Sequence, residues 1–290
     1  IQRKQMTTFN KNNVFVLAVK GDFDDCQKLV KKFFAKNNKE KQFNLAAINS
    51  INWVRIMGQL VYYFWSYFKV QRNFDTVNFV VPTGNFGNVY AGFVAKLMGL
   101  PINKLIVASN KNDILTRFFS SGFMRKKQTS QSLSPSMDIQ VSSNFERLLS
   151  HYLKESKLIS ELFINLDKTG SFRISPKLHG DLLKIFISGK VSDNDTLKTI
   201  RQIYKKFSVI LDPHTAVGYA IGSKYLKKGE KNIYLATAHY GKFLETVNKA
   251  ISNVTQYPNE LKNILEKKEN FEIINNDINQ LEKFLKKKSQ

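Results

Sequence analysis

The chain has 290 residues, a single cysteine, a formal net charge of +22 and 42% hydrophobic residues. That apolar share fills a sizeable core in one or two domains and excludes gross disorder. A lone Cys26 excludes an intramolecular disulfide framework and a four-cysteine zinc site, and points to a reducing, cytoplasmic setting. The charge is mostly lysine, spread through nearly every segment with runs such as Lys126-Lys127, Lys267-Lys268 and Lys286-Lys287-Lys288 in a background rich in Asn, Ile and Phe. Scattered lysine of this kind reads as a solvated surface rather than a shaped nucleic-acid face, so no nucleic-acid partner is expected.

In chain order, Val14 to Val19 reads as a strand, and Cys26, Leu29, Val30, Phe33 and Phe34 share one helix face after Gly21-Asp22. Asn49-Ser50 precedes a long apolar helix through Tyr67. Its most apolar part, Ile56 to Phe68, is about 13 residues where a membrane span needs roughly 20. It is expected as a core helix, with Tyr62-Tyr63-Phe64-Trp65 as core packing, and no membrane partner is expected. Val77 to Val81 is apolar without alternation, the pattern of a parallel strand buried on both faces. It runs into Pro82-Thr83-Gly84-Asn85-Phe86-Gly87-Asn88 and a small-residue helix, Ala91 to Ala95. Lys104 to Ser109 and Ile233 to Thr237 read as further strands. Between Glu155 and Thr199 the pattern weakens, with turn signals at Lys168-Thr169-Gly170-Ser171 and Ser192-Asp193-Asn194-Asp195, so this stretch reads as a mostly helical insertion. From Asn259 onward the chain is charged and helical, with Leu261, Ile264, Leu265, Ile278, Leu281 and Phe284 available to pack. Nothing at Ile1 reads as a signal peptide, and the chain is expected to begin within a domain. Strands separated by helix-length segments give an α/β architecture whose ligands sit at the carboxyl ends of the strands.

Strand, then Gly84-Asn85-Phe86-Gly87-Asn88, then helix has the chemistry of a phosphate cradle. Glycines permit close backbone approach to an anion, and a helix start offers unpaired N–H groups. The same residues also make a tight strand-to-helix turn. The segment has neither the Lys-Ser/Thr of a nucleotide loop nor the spacing of a dinucleotide fingerprint, which leaves a small phosphorylated cofactor.

Val81 to Gly87, followed by Ala91-Gly92 and Lys96 to Ile102, resembles the cofactor-phosphate segment of threonine synthase. That family consists of pyridoxal 5'-phosphate enzymes with the tryptophan-synthase β-like fold (fold type II). Gln5 to Thr8, Gly21 to Gln27, Asn49 to Ile56, Asn112 to Leu115, Ser134 to Ile139, Ser142 to Leu149, Leu211 to Gly218 and Thr237 to His239 resemble it too, in family order. The resemblance implies residues 1–75 as part of the small subdomain and its linking helix. It implies 76–258 as the large cofactor-binding domain with a helical insertion at about 155–200, and 259–290 as a C-terminal helical segment. The implied reaction takes O-phospho-L-homoserine and water to L-threonine and phosphate.

By the same resemblance Gly84, Asn85, Phe86, Gly87 and Asn88 hold the cofactor phosphate, and Thr237 meets the pyridine nitrogen. The family more often has Asp where this chain has Asn88. It usually continues Pro-Ala-Lys-Phe where this chain has Tyr240-Gly241-Lys242-Phe243. Asn49, Ser50, Asn52 and Arg55, two amides and a hydroxyl at a helix start with a guanidinium about one turn on, are the candidates for the substrate's phosphate and carboxylate. The family's Schiff-base lysine lies in a His-Gly-Pro-Thr-x-x-Phe-Lys-type segment that this sequence does not contain, so no catalytic residue is assigned and the chain resembles only the C-terminal part of the enzyme. His214 reads as a structural contact at a helix start, His239 as packing or lining the site, and His151 and His179 as surface. Two rivals are another pyridoxal-phosphate elimination enzyme, threonine dehydratase-like, and a non-catalytic basic binding protein.

Overall fold

The computed structural model describes residues 2–9, 11–21, 23–49, 52–71, 75–252, 257 and 259–288. They fall into two units, Ile1–Ala47 with Tyr257–Gln290, and Ile48–Gln256. Along the chain run α1 (Gln2–Thr7), β1 (Leu17–Val19) and α2 (Phe23–Glu40). The larger unit begins with α3 (Trp53–Val70), β2 (Val77–Pro82), α4 (Gly87–Leu97), β3 (Ile102–Ser109), α5 (Ile114–Ser121) and β4 (Phe123–Arg125). It continues with α6 (Phe145–Leu153), α7 (Ser156–Lys168), β5 (Ser171–Arg173), α8 (Pro176–Leu183) and β6 (Phe186–Lys190). Then come α9 (Asp193–Phe207), α10 (Pro213–Tyr225), β7 (Asn232–Tyr234) and α11 (Leu244–Ala250), and finally α12 (Asn259–Glu266), β8 (Glu272–Ile274) and α13 (Ile278–Lys288).

The larger unit is built on a parallel sheet of order β6-β3-β2-β7. Every residue of β2 is buried, and its side chains divide by the two-residue pleat. Val77, Phe79 and Val81, with Leu105 and Val107 of β3, join the core shared with α3, α4, α5 and α6. Val80, Ile106 and Ala108 face Val217 and Ile221 of α10. Both helix layers come very close to the sheet. A Cβ on Gly222 would lie 2.5 Å from Val80 Cγ2, and one on Gly92 2.5 Å from the Tyr63 ring. The register of β2 on β3 shifts between Val77 and Phe79, where buried Asn78 satisfies the ladder with its side chain. It donates to Asn232 Oδ1 (2.9 Å) and Glu230 Oε2 (3.0 Å), and accepts from the Lys104 N–H (3.1 Å).

Strand β6 lies inside the stretch read from sequence as helical, and pairs with β3 from Leu105↔Phe186 to Ser109↔Lys190. The turn signal at Ser192 to Asp195 is the capping box that starts α9. The late strand stops at Tyr234, short of Thr237, which lies beyond its carboxyl end. Helix α3 departs from a core helix. Ile56, Tyr63 and Tyr67 are buried, but Tyr62 and Trp65 are exposed, so the expected Tyr62-to-Trp65 core packing holds only for Tyr63 and the half-buried Phe64. Among the described residues no helix is long and apolar enough to cross a membrane.

In the smaller unit β1 and β8 pair in parallel, from Leu17↔Glu272 to Val19↔Ile274. Arg3 bonds Glu269 through both carboxylate oxygens, and the Phe15 ring meets Phe284 edge-on at 6.0 Å.

Candidate functional site

The carboxyl ends of β2, β3 and β7 converge on the segment between β2 and α4. After Pro82 the Thr83 N–H donates to the Ala108 carbonyl (3.1 Å), continuing the ladder, and Thr83 Oγ1 accepts from the Phe86 N–H (3.1 Å), closing a tight turn. Phe86 takes a left-handed backbone (φ 63°), which a non-glycine residue adopts only when its surroundings impose it. Its fully buried ring, packed on Phe145 (5.2 Å) and Phe186 (5.9 Å), supplies that constraint.

Two neighbouring loops hold the turn. Ser142 Oγ donates to the Gly84 carbonyl (2.7 Å), and the Asn144 backbone N–H donates to the Asn85 carbonyl (3.1 Å). A trans peptide points its N–H away from its carbonyl, so the Asn85 N–H is turned from Ser142. The first intrahelical bond of α4 is Tyr90 N–H to Phe86 carbonyl (2.8 Å), which leaves the first-turn amides of Gly87, Asn88 and Val89 without an acceptor among the described residues. No acidic residue stands in that turn. Uncompensated amides at the positive end of an 11-residue helix, without a competing carboxylate, suit an anion such as a phosphate monoester.

Both glycines also leave room for neighbouring loops. A Cβ on Gly84 would meet Met137 Cα at 3.1 Å and the Ser136 carbonyl at 3.2 Å, so Gly84 admits the 134–139 loop. One on Gly87 would meet Asn144 Nδ2 at 3.2 Å. Asn88 turns its side chain to α3, where Tyr63 Oη lies 2.7 Å from the Asn88 carbonyl and 2.9 Å from its side-chain oxygen. One O–H cannot serve both, and rotating the amide by half a turn resolves the conflict, its NH2 donating to Tyr63. Burial pushes the Tyr63 hydroxyl well above its usual pKa, so it stays a donor.

Thr237 is exposed and lies three residues past Tyr234, the last paired residue of β7, beyond that strand's carboxyl end. A buried group anchors it. The Thr237 N–H donates to Thr215 Oγ1 (3.3 Å), and that hydroxyl donates to Asp212 Oδ2. Asp212 also caps α10 through the His214 N–H (2.9 Å) and accepts from His214 Nδ1 (2.9 Å). His214 Nε2 then accepts the Ser136 N–H (3.2 Å), an arrangement that requires the neutral Nδ1–H tautomer. His214 is therefore a structural contact. His239, on the exposed side, accepts the Gly241 N–H at Nδ1 (3.1 Å) and stacks near Tyr240.

A second buried cluster fastens the 130–139 loop to the end of β3. Asp138 Oδ1 accepts from Asn110 Nδ2 (2.8 Å), Asn112 Nδ2 (2.8 Å) and Ser132 Oγ (2.6 Å). Beside it, Asp113 bonds Arg117 (2.8 Å) and Lys190 (2.6 Å). Burial raises the Asp113 carboxyl, but the two cations outweigh it and hold it below its ordinary value.

The four residues read as substrate contacts gather only in part. Asn52 caps α3, its Oδ1 accepting the Val54 N–H (2.8 Å), and exposed Arg55 turns back to the Ile48 carbonyl (3.3 Å). Asn49 is tied to the same turn through its carbonyl, which accepts the Asn52 N–H (3.1 Å), while Ser50 lies outside the described residues. Trp53 then meets Tyr90 (6.3 Å), and the Arg147 guanidinium lies over the Trp53 ring (5.7 Å). Arg147 opens onto a cleft of about 640 Å³ shared with Ser143, Asn144 and Lys154. Ser143 Oγ also lies 3.4 Å from Asn85 Oδ1, so this cleft adjoins the cradle. Sequence reading assigned no role to Arg147, Asp212 or Thr215. The Asp212-Pro213-His214-Thr215 helix start was the available signal for the last two. Among the described residues no cluster of His, Cys, Asp and Glu could hold a metal ion.

The family model described as "Threonine synthase, C-terminal" matches residues 215–285. The chain is 41% identical over 288 residues to threonine synthase of Pseudomonas aeruginosa, covering 98% of this chain and 61% of that protein. It is 42% identical over 292 residues to that of Saccharomyces cerevisiae, covering 91% and 57%. The solved threonine synthase of Brucella melitensis with pyridoxal phosphate bound superposes with a TM-score of 0.89 at 39% identity, over the whole of this chain and 62% of that one. The yeast enzyme does so with a TM-score of 0.86. The chain thus has the fold of these fold-type-II enzymes and spans about three-fifths of the length of the relatives it matches.

Proposed function

We propose, from the premise that this chain belongs to the threonine synthase family and corresponds to its C-terminal part, that it forms the cofactor-phosphate side of an enzyme converting O-phospho-L-homoserine and water to L-threonine and phosphate. The observation that carries this reading is the cradle: uncompensated amides at the start of α4, at the carboxyl ends of three parallel strands, in a chain similar to threonine synthases over nearly its whole length. A reducing, cytoplasmic setting fits its single cysteine.

Pyridoxal 5'-phosphate, when bound, supplies the electron sink for proton removals at the α and β carbons and loss of phosphate from the γ carbon. In this proposal the amides of Asn85, Gly87, Asn88 and Val89 hold the cofactor phosphate, with Gly84 and Phe86 shaping the turn. The Thr237 hydroxyl would donate to the pyridine nitrogen and, being neutral, would not stabilise a protonated ring as a carboxylate would. Asn49, Ser50, Asn52 and Arg55, with Arg147 across the cleft, orient the substrate's anionic groups. The lysine that carries the cofactor and moves the proton belongs to a segment absent from this sequence, so the acid–base step is assigned to no residue here.

The test joins this chain to the part of the yeast enzyme that it does not match. The joined protein should bind pyridoxal 5'-phosphate at least about a hundredfold more tightly than pyridoxal, the equivalent of about two charge-assisted hydrogen bonds. Equal affinity for the two would remove the phosphate from the cradle.

A further inference from the structure

Helix α3 has two apolar faces, and among the described residues one of them is buried. Ile56, Tyr63 and Tyr67 pack against α4 and the sheet. On the opposite side Val54, Met57, Val61, Trp65 and Phe68 follow at intervals of three, four, four and three residues, with Tyr62 beside them. These side chains are between 47 and 67% exposed. The stripe runs about 21 Å along the helix at the usual rise per residue. Gly58, within it, has open space where a Cβ would stand. The helix carries no acidic residue, and its only charges are Arg55 and Lys69, near its two ends. A helix apolar all round belongs inside a larger structure, and an exposed apolar stripe of this length marks a contact surface.

We propose that the outer face of α3 is the seat of the part of a threonine synthase that this chain does not span, and that docking there covers the stripe. This rests on the family reading above and goes beyond it by naming the surface. Three observations select this occupant. About two-fifths of the length of the matched proteins lies outside the part that this chain spans, and the shared part superposes with a TM-score of 0.89, so each of these relatives carries a body large enough to cover the stripe. A second copy is disfavoured by charge, because two chains of +22 repel and neither brings an acidic group to pair with Arg55 or Lys69 from its own α3. A lipid surface asks for an amphipathic helix with a wet polar face, whereas the second face of α3 is core.

The chain holds two tryptophans, Trp53 and Trp65, so Trp53→Phe leaves Trp65, 62% exposed, as the sole reporter on the stripe. The experiment coexpresses the 290-residue chain with the unmatched parts of the Pseudomonas aeruginosa and yeast enzymes. Copurification in equal amounts is expected, with a blue shift of Trp65 emission in the Trp53→Phe chain. The double change Val61→Glu with Trp65→Glu should abolish copurification while leaving circular dichroism of the chain unchanged, because both side chains already face water. Copurification unaffected by the double change, or none with either enzyme part, would overturn the proposal. So would sedimentation showing a dimer of the chain alone that the double change splits, or capture by anionic vesicles that it prevents. An assembled pair that makes no threonine would leave the docking surface standing and refute only the functional reading.

Discussion

Asp212 ties together the pieces that border the cradle, and replacing it has a magnitude that the geometry fixes. Its carboxylate caps α10, holds the His214 imidazole whose other nitrogen receives the Ser136 N–H, and accepts from the Thr215 hydroxyl that anchors the Thr237 N–H. Asp212→Ala removes the cap, at about 1 kcal/mol. It also strands the buried His214 N–H, at about 2 kcal/mol, so the loss should be about 3 kcal/mol. Asp212→Asn keeps an acceptor for the cap and exchanges charge-assisted bonds for neutral ones, which lowers the cost to about 1–2 kcal/mol. Both tryptophans lie in the larger unit, so urea unfolding followed by their fluorescence reports that unit, and hydrogen exchange at the Ser136 and Thr237 amides reports the anchors. Both amides should exchange faster in Asp212→Ala than amides of β2 and β3. A variant within about 0.5 kcal/mol of the parent, the range of an ordinary surface change, with the two amides as protected as before, would refute the reasoning.

The Asp113 carboxyl is held below its unfolded value by Lys190 and Arg117, so its stabilising contribution is complete above the ordinary carboxylate range and is lost as pH falls through the lowered folded value. Asp113→Asn should therefore flatten the acid limb of the stability curve, below about pH 4, as measured by urea midpoints against pH. Gly222→Ala sets a Cβ 2.5 Å from Val80 and 2.6 Å from the Tyr234 ring, and should cost about 1–3 kcal/mol by the same fluorescence assay. Thr237→Val in the joined protein keeps the backbone bond to Thr215 and removes only the hydroxyl. Turnover should fall at least about tenfold, the equivalent of about 1.4 kcal/mol, with circular dichroism unchanged.

The non-alternating run of β2, apolar but for Asn78, and the glycine-flanked turn after it were legible in the sequence because both depend on a few consecutive residues. Strand β6 was not. Phe186-Ile187-Ser188-Gly189-Lys190 has two polar positions and a glycine in five, and only the edge of β3 makes it a strand. Helix α3 shows what periodicity leaves open: apolar positions on two faces read as core, and the pattern says nothing about which face has a neighbour. The anchoring of Thr237 by Asp212 and Thr215 joins residues 22 to 25 positions apart, and only the cap at the start of α10 was visible from the residues themselves. Gly84 was legible as a glycine the turn requires, while the close approach of the 134–139 loop to it, from residues about 50 positions away, was not.

The central claim is that this chain forms one side of a threonine-forming site, and the most direct measurement is product analysis of the joined protein on O-phospho-L-homoserine. L-threonine and inorganic phosphate should appear together, in equal amounts, only when pyridoxal 5'-phosphate is present. A folded, cofactor-binding joined protein that releases no phosphate, or that yields a 2-oxo acid and ammonia in place of threonine, would contradict the account.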